Sequence, residues 1–573
     1  MKVDKNHVIK CLRQIAVLLE LKNENIFKVR AFTNAARILE GHPKDLAALV
    51  ETGELEKIKG IGSGHISRII HELYDRGESK DLDELSREFP ASLFDLFQIP
   101  GLGAKRIKVL YEKLGIKSVG ELEYACQENR LLELEGFGAR SQEKIVQGIQ
   151  QLKKSAGHYL IHVAAEESKR LATYLKKQKG ILKIEVAGSI RRAKEVIKDI
   201  DILVSAKNPA TVHEAFVHYP ETESVIAHGD TKSSIVLKSG IQCDLRTVRE
   251  DEFPYALYYF TGSKEHNVAV RTFAKKKGIK INEYGLFRGS RRIVCKDEAD
   301  IFEKLGFHPI PPEARENTGE LELAAKREFP KLIEEKDVRG IFHVHTADSD
   351  GLVSLDEMID AAEQAGFEYI GVSDHSQSAG YANGLEPKRL RLQWKRIDAL
   401  QKRHKIRIFK GIESDILPDG KLDYSDSILA EFDFVIGAVH SRFNMSEKEM
   451  TQRILRAMGN RYFTFFGHPT GRLLLGREGY AVDLVKIIDA AKKANVIMEI
   501  NANPHRLDLD WRMCQYAKKQ GVLMSINPDA HSLDGLNDVK YGVGTARKGW
   551  LESGDVLNTF PAAQVEKILK RRR

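Results

Sequence analysis

Cysteine is scarce and scattered. The 573 residues include five (Cys11, Cys126, Cys243, Cys295 and Cys514), and no two form a Cys-x-x-Cys pair. This argues against a disulfide framework or a thiolate zinc site and fits a reducing cytoplasm. Long apolar runs are also missing, so no segment reads as a bilayer span. Met1-Lys2-Val3-Asp4 does not open a signal peptide, and no membrane partner is expected. Neither sign of charge dominates: 90 Lys and Arg against 82 Asp and Glu leave a net +8. The basic excess is local, at Lys153-Lys154, Lys275-Lys276-Lys277 and Lys570-Arg571-Arg572-Arg573. Such clusters suit phosphates, although each alone is more often a solvated face or a tail. A chain of this length holds several domains, each with its own core.

What is present centres on residues 188–204, Gly-Ser-Ile-Arg-Arg-Ala-Lys-Glu-Val-Ile-Lys-Asp-Ile-Asp-Ile-Leu-Val. The second half alternates, so it reads as a strand with Asp199 and Asp201 on one face and Ile200 and Ile202 on the other. Two carboxylates at i and i+2 repel each other and resist burial unless a hard divalent cation such as Mg²⁺ neutralises them. Gly188 and Ser189 supply a tight turn and a hydroxyl, and Arg191 and Arg192 supply guanidinium forks, a donor set suited to a polyphosphate. Metal carboxylates beside a phosphate grip suggest nucleotidyl transfer. The plainer reading is a strand with a solvated edge. Downstream, 234–238 and 241–246 flank a Ser239-Gly240 turn and read as a β-hairpin, placing Asp244 as a third carboxylate. Three carboxylates can hold two ions.

Residues 1–155 read as short helices separated by glycine turns, with no convincing strand. Three turns share one pattern: Ile58-Lys59-Gly60-Ile61-Gly62, Ile99-Pro100-Gly101-Leu102-Gly103 and Leu134-Glu135-Gly136-Phe137-Gly138. Each precedes a helix with basic residues: Arg68, then Lys105 and Arg106, then Arg140 and Lys144. A helix starting at such a turn presents free N–H groups that can grip a phosphate without reading bases. The pattern resembles the helix-hairpin-helix motif of DNA-repair proteins. A plain helical bundle is the bland alternative.

Gly188-Ser189-x-Arg191-Arg192, Asp199-x-Asp201, Asp244 and Tyr259-Phe260-Thr261-Gly262-Ser263 stand in the order seen in family X DNA polymerases, such as DNA polymerase beta. Asn267, Arg271 and Ile281-Asn282-Glu283-Tyr284 extend the resemblance, which runs to about residue 315. The resemblance implies that Asp199, Asp201 and Asp244 are catalytic ligands for Mg²⁺ or Mn²⁺. It gives Gly188, Ser189 and Arg192 the triphosphate, gives Tyr259, Phe260 and Gly262 the sugar, and sets Asn267 and Arg271 along the minor groove. Three departures from the family's pattern stand nearby: Lys198 where many relatives have glycine, Gln242 in place of an arginine, and Lys264 in place of an aspartate. A fourth is Arg68, at the position of a Schiff-base lysine. A guanidinium stays protonated and cannot attack a carbonyl, so no lyase activity is expected there.

Residues 306–336, with Pro309, Pro311 and Pro312, read as a connector with a helical part. Beyond it, short apolar strands at 340–345, 369–374, 407–412, 432–439, 463–467, 496–500 and 522–526 alternate with amphipathic helices. Seven β-α units suggest a parallel barrel with function at the strand C-terminal ends. Those ends collect His343-x-His345 with Asp350, Asp374-His375, Glu413, His440, His468, Glu499-x-Asn501 and Asp529-Ala530-His531. A lone histidine is usually a satisfied core or surface residue; one after another at the same end of successive strands is not so explained. Mixed imidazole and carboxylate donors suit Mn²⁺, Zn²⁺ or Fe²⁺. This half resembles the polymerase and histidinol phosphatase (PHP) domain, a seven-stranded barrel with a trinuclear site. The resemblance makes His343, His345, Asp350, His375, Glu413, His440, His468, Asp529 and His531 its ligands, holding up to three ions.

The whole is similar to bacterial family X polymerases. The expected layout is an N-terminal helical DNA-binding domain (1–83), a helix-hairpin-helix fingers-like domain (84–155) and an α+β nucleotidyltransferase palm (156–250). A thumb (251–316), a connector (317–336) and the PHP metallophosphoesterase domain (337–573) follow. The DNA contacts would be Gly60, Gly62, Gly101, Gly103, Lys105, Gly136, Gly138 and Arg271. The expected function is filling of short gaps in base excision repair by a cytoplasmic monomer acting on gapped or nicked DNA and deoxynucleoside triphosphates. A separate Mn²⁺-favoured 3′–5′ exonuclease is expected, with abasic-site cleavage as a further family inference. The rivals are a small-phosphoester hydrolase with a DNA-tethering half and a noncatalytic DNA-damage scaffold. The complete carboxylate triad speaks against the first, and two intact metal sites against the second.

Overall fold

A computed structural model describes residues 5–22, 24–42, 44, 46–154 and 157–570. Met1–Asp4 and the terminal Arg571–Arg573 lie outside the described residues, as do the side chains of Lys153 and Lys154. The chain divides into two compact units, Met1–Leu152 and Lys153–Arg573.

The first unit is helical throughout its described residues, and its helices are longer than the glycine spacing suggests. Lys5–Leu21 and Ile26–Gly41 form an opening pair of 17 and 16 residues, and Ala139–Lys154 closes the run. The unit has two apolar cores. One gathers Leu12, Ile15, Phe32, Leu39, Ile69 and Leu73; the other gathers Leu96, Ile107, Leu110, Leu122, Leu131 and Ile149. The first glycine of each hairpin turn (Gly60, Gly101, Gly136) has positive φ, which lets the chain reverse before a helix starts at His65, Ala104 or Ala139.

The second unit opens on a five-stranded sheet ordered Ile181–Val186, Asp199–Ala206, Gln242–Val248, Lys232–Leu237 and Thr222–His228. Only the pairing of Asp199–Ala206 with Gln242–Val248 is parallel. Ile200, Ile202, Val204, Cys243 and Leu245 face inward onto Leu171 and Leu175 of helix Ile161–Lys176 and Val212 and Phe216 of helix Pro209–Val217. The period of two then puts Asp199 and Asp201 on the opposite face. Helices Phe253–Thr261 and Lys264–Lys276 and a small antiparallel sheet follow.

The expected connector is not a loose linker. Helix Glu320–Lys326 provides its helical part, Phe329 and Leu332 are buried in the core with Tyr255, Tyr258 and Phe302, and Ile333 enters the next core. Its apolar side chains tie it down on both sides.

The C-terminal strands are all parallel but form two sheets rather than one ladder. Gly340–Val344, Tyr369–Val372 and Arg407–Lys410 make three strands; Glu413–Asp415, Ile436–Ala438, Phe465–Phe466, Ile497–Asn501 and Met524–Asn527 make five. The third expected strand is therefore split at Gly411-Ile412. A Cβ at Gly411 would lie 2.1 Å from the Phe434 ring, so the backbone passes too close to that ring to carry a side chain there. Isolated parallel bridges His375↔Glu413 and Val344↔Ala530 run between the two sheets. Among the described residues, no helix is long and apolar enough to cross a membrane.

Candidate active sites

On the mixed sheet, Asp201 and Asp244 are direct partners on parallel strands, with Asp199 opposite Gln242. All three carboxylates thus rise from one face. Burial, then the charges of Asp199 and Asp244, push the Asp201 carboxyl up to about 6. Asp244 is held below its ordinary value: burial works against this, but hydrogen bonds from Lys232, Ser234 and Gln242 outweigh it. Gln242 Nε2 donates to Asp244 Oδ1 at 3.1 Å, and Lys232 Nζ lies 2.7 Å from Oδ2. Lys232 had no counterpart in the sequence reading. Among the described residues the three carboxylates do not form one of the tight ligand groups, and Lys232 takes one oxygen of Asp244.

The turn before the strand is shaped around Asp201. Gly188 has φ +61°, and a Cβ on it would stand 2.2 Å from Asp201 Oδ2. The neighbouring Ser189 Oγ is buried with no hydrogen-bond partner. An orphaned buried donor beside clustered carboxylates fits a nucleotide and its cation. The two arginines part company. Arg191 is committed to Glu298 and Thr261, so half of the expected phosphate grip is a structural ion pair instead. Arg192 is buried; its Nε lies 3.3 Å from Glu316 Oε1, and Nη1 donates to the Thr261 carbonyl.

Helix Phe253–Thr261 ends at Gly262, with Tyr259 and Phe260 edge-to-face, ring centroids 5.2 Å apart. Arg246 stacks over Phe260 at 4.5 Å. Asn267 Nδ2 donates to the Tyr259 carbonyl at 2.8 Å, and its buried Oδ1 has no partner. Arg271 is exposed on the same helix, its Nε 3.4 Å from the Asn267 carbonyl. Lys277 leaves its basic cluster to donate to the Leu305 carbonyl at 2.8 Å.

In the first unit, Lys105 is exposed, but Arg106 is turned inward. It donates to the carbonyls of Gly101 and Gly136 at 3.2 and 3.0 Å, binding one glycine turn to the other. It is therefore a structural strap rather than a phosphate grip. Arg68 pairs with Asp81 at 3.0 Å.

The nine expected ligands of the C-terminal half come together in four overlapping groups whose donor atoms approach within 4.8 Å: His345, Asp350, His375 and His531; His343, Glu413 and His468; His343, His345 and Asp529; and His375, Glu413 and His440. Glu413, His343, His345 and His375 each belong to two groups. All four groups found among the described residues lie here. His343 Nε2, both ring nitrogens of His345 and of His375, and Glu413 Oε2 are buried without a hydrogen-bond partner. So many orphaned donors facing one another fit metal ions that would take their lone pairs. Burial and the neighbouring His531 and His375 push His345 down to about 3. His343 goes the other way: burial opposes its protonation, but Glu499, Asp529 and Glu413 outweigh it and raise it.

The backbone bends to make this site. His343, His468 and Asp529 have positive φ, at 59°, 26° and 51°, an uncommon conformation for residues other than glycine. At His343 it coincides with a register shift between Ile341 and Val344, a bulge that re-aims the side chain.

Two carboxylates outside the expected ligand set, Glu499 and Asp415, hold ligands directly, and a third, Asp374, braces the polar residues around them. Glu499 Oε1 lies 2.6 Å from His343 Nδ1, and its Oε2 accepts the His468 backbone N–H at 2.6 Å. Asp415 Oδ1 lies 2.6 Å from His440 Nδ1. Asp374 accepts from Thr346, Ser349 and Gln393. Orienting carboxylates of this kind fix the imidazole tautomer and raise its basicity. Asp415 follows Glu413 at i+2 on one strand, a signal present in the sequence but not used. Arg506 Nε lies 3.5 Å from Asp529 Oδ2.

Four segments of the chain match known families. Residues 3–79 match the helix-hairpin-helix domain family, 94–151 the SAM-like helix-hairpin-helix tandem, 256–316 the DNA polymerase beta thumb and 342–503 the PHP domain. The chain is 41% identical over 572 residues, 99% of both chains, to the DNA polymerase/3′-5′ exonuclease PolX of Bacillus subtilis (strain 168). It is 29% identical over 173 residues, 29% of this chain and 97% of the relative, to the Repair DNA polymerase X of African swine fever virus (strain Badajoz 1971 Vero-adapted). It is 22% identical over 336 residues to the human DNA-directed DNA/RNA polymerase mu, covering 50% of this chain and 64% of that one.

Proposed function

Because the chain belongs to the bacterial family X DNA polymerases that carry a PHP domain, we propose that it fills short gaps in DNA at Asp199, Asp201 and Asp244 and trims 3′ ends at the histidine-rich centre. It is a repair DNA polymerase and a 3′–5′ exonuclease. One observation carries the two-site reading: two constellations stand on different sheets and share no residue.

At the first site, Asp199, Asp201 and Asp244 would hold Mg²⁺ or Mn²⁺. Ser189 Oγ and Arg192 would bind the triphosphate, Gly188 leaves room for Asp201, and Tyr259, Phe260 and Gly262 wall the sugar. Asn267 fixes Tyr259 through its carbonyl. At the second site, the nine ligands would hold up to three Mn²⁺, Zn²⁺ or Fe²⁺ ions, with His343 and His440 oriented by Glu499 and Asp415. Bound ions would acidify a 3′-hydroxyl or a water and neutralise the charge developing on phosphate.

The remaining assignments follow the same reading. The hairpins at Gly60/Gly62, Gly101/Gly103 and Gly136/Gly138, with Lys105, grip the DNA backbone, and Arg271 lies along the minor groove. The parallel strands close as a seven-stranded barrel, supported by the two isolated bridges that run between the sheets. Arg68, ion-paired to Asp81, gives no lyase. Abasic-site cleavage belongs to the PHP centre. The same reading divides the chain at 1–83, 84–155, 156–250, 251–316, 317–336 and 337–573, and five free, buried cysteines fit a cytoplasmic enzyme.

The test is incubation of the protein with a 5′-labelled primer on gapped DNA and Mn²⁺, with and without deoxynucleoside triphosphates. Extension to the gap length with nucleotides, and stepwise shortening without them, is the expected result. DNA left unchanged while small phosphoesters are hydrolysed would overturn the reading in favour of a phosphoesterase tethered to DNA.

A further inference from the structure

Helix Val539–Lys548 packs on the C-terminal core through Val539, Val543 and Ala546. Its other side meets the nucleotide-binding turn. A Cβ at Gly544 would lie 3.1 Å from the Ala193 Cβ, tighter than an ordinary contact, so a larger residue there would press on the residue after Arg192. Arg547 anchors the same turn of helix: its Nε lies 2.8 Å from Glu313 Oε1, and Nη1 donates to the Ile333 carbonyl at 2.8 Å.

At the end of this helix Lys548 is buried, 3% exposed. Its Nζ donates to Glu316 Oε1 and, at 3.2 Å, to the backbone carbonyl of Arg192. The same Glu316 Oε1 faces Arg192 Nε at 3.3 Å. Lys548 and Arg192 thus share one carboxylate from opposite sides. Burial pushes the lysine down, opposed chiefly by Glu316, so its charge depends on that partner.

We propose that Lys548 is a positioning residue for nucleotide binding at the polymerase site, acting through Glu316 on Arg192 from the exonuclease half of the chain. The argument is one of charge and of geometry. Arg192, Glu316 and Lys548 together carry a net charge of +1; without the ammonium, Glu316 neutralises Arg192 alone and the triphosphate meets an uncharged pair. Lys548 also fixes the Arg192 carbonyl, while Arg192 Nη1 is spent on the Thr261 carbonyl. Arg192 Nη2 makes no hydrogen bond to any described residue and remains for a phosphate oxygen. Lys548 thereby couples a residue of the exonuclease half to the nucleotide-binding turn, although the metal sites of the two halves are separate. This rests on the reading of Arg192 as a triphosphate ligand.

Single-nucleotide gap filling by full-length wild type, Lys548→Met, Lys548→Gln, Lys548→Arg and Arg192→Ala tests it, with exonuclease activity and melting temperature measured on each. Lys548→Met should raise KM for the nucleotide about tenfold, with a smaller change in kcat. The exonuclease should be unchanged, and Lys548→Arg should restore KM. Lys548→Gln keeps a buried donor without the charge; it should behave as Lys548→Met and serves if that variant does not fold. An unchanged KM in a folded Lys548→Met or Lys548→Gln protein overturns the proposal, as does loss of polymerase and exonuclease in parallel. No gap filling by wild type would instead overturn the functional reading itself. An unchanged KM in Arg192→Ala would remove the residue that Lys548 is proposed to position.

Discussion

Lys232 Nζ lies 2.7 Å from Asp244 Oδ2, reaching across from the neighbouring antiparallel strand. It supplies a cation beside the third carboxylate at a point where position 242 offers only the neutral Gln242 amide. Asp244 is depressed, so its contribution to stability is present above the unfolded pKa and lost as pH falls through the folded one. Lys232→Met should lower stability at neutral pH by about 0.5–1 kcal/mol, a value discounted because the lysine is partly exposed. The difference from wild type should vanish in acid below about pH 3. Parallel acid melting curves check this.

Asp201 has the opposite sign. Its carboxyl is raised to about 6 by burial, Asp199 and Asp244, so the metal-free fold binds more protons than the unfolded chain between about pH 4 and 6. Stability contributed by this group is full below about pH 4 and falls as pH rises through 6. Asp201→Asn should therefore stabilise the EDTA-treated protein by about 2–3 kcal/mol above pH 6 and hardly at all near pH 4. Melting temperatures at the two pH values decide it. Equal shifts at both would contradict the electrostatic account.

Gly188→Ala places a Cβ 2.2 Å from Asp201 Oδ2 at a φ of +61°. The overlap should cost about 1–3 kcal/mol of stability. Polymerase activity should fall at least about a hundredfold as the carboxylate is displaced. Exonuclease activity on the same DNA should be retained. Paired assays of the two activities provide the check.

These sites were legible in the sequence to different depths. The period of two exposed Asp199 and Asp201 because Ile200 and Ile202 had to face a core, and the C-terminal ligands stood out because they collect at or just beyond the same ends of successive strands. Pairings between distant segments left no such trace: Glu316 and Lys548 are 232 positions apart, and nothing local in either marks the other. Arg106 misled because a basic residue after a glycine turn suits phosphate equally well as carbonyls of its own hairpins. The strand expected at 407–412 ends at Lys410 and pairing resumes at Glu413 in the other sheet, a change of partner that local pattern does not carry.

Glu499→Gln keeps the size of the side chain but weakens its hold on His343 Nδ1 and the His468 N–H. Exonuclease metal affinity should drop about 10- to 100-fold. Mn²⁺ titration of exonuclease activity should show a higher half-saturation with rate recovered at excess metal, while gap filling is unaffected. A rate that excess Mn²⁺ does not restore would contradict a merely orienting role.

The central claim is that one chain holds two independent metal centres that make and unmake the same DNA end. Gapped, 5′-labelled DNA with nucleotides and Mn²⁺, given to Asp201→Ala and His343→Ala, tests it most directly. The account predicts that Asp201→Ala shortens the primer without extending it and that His343→Ala extends it without shortening it. Loss of both activities in both variants would contradict it and point to one shared site.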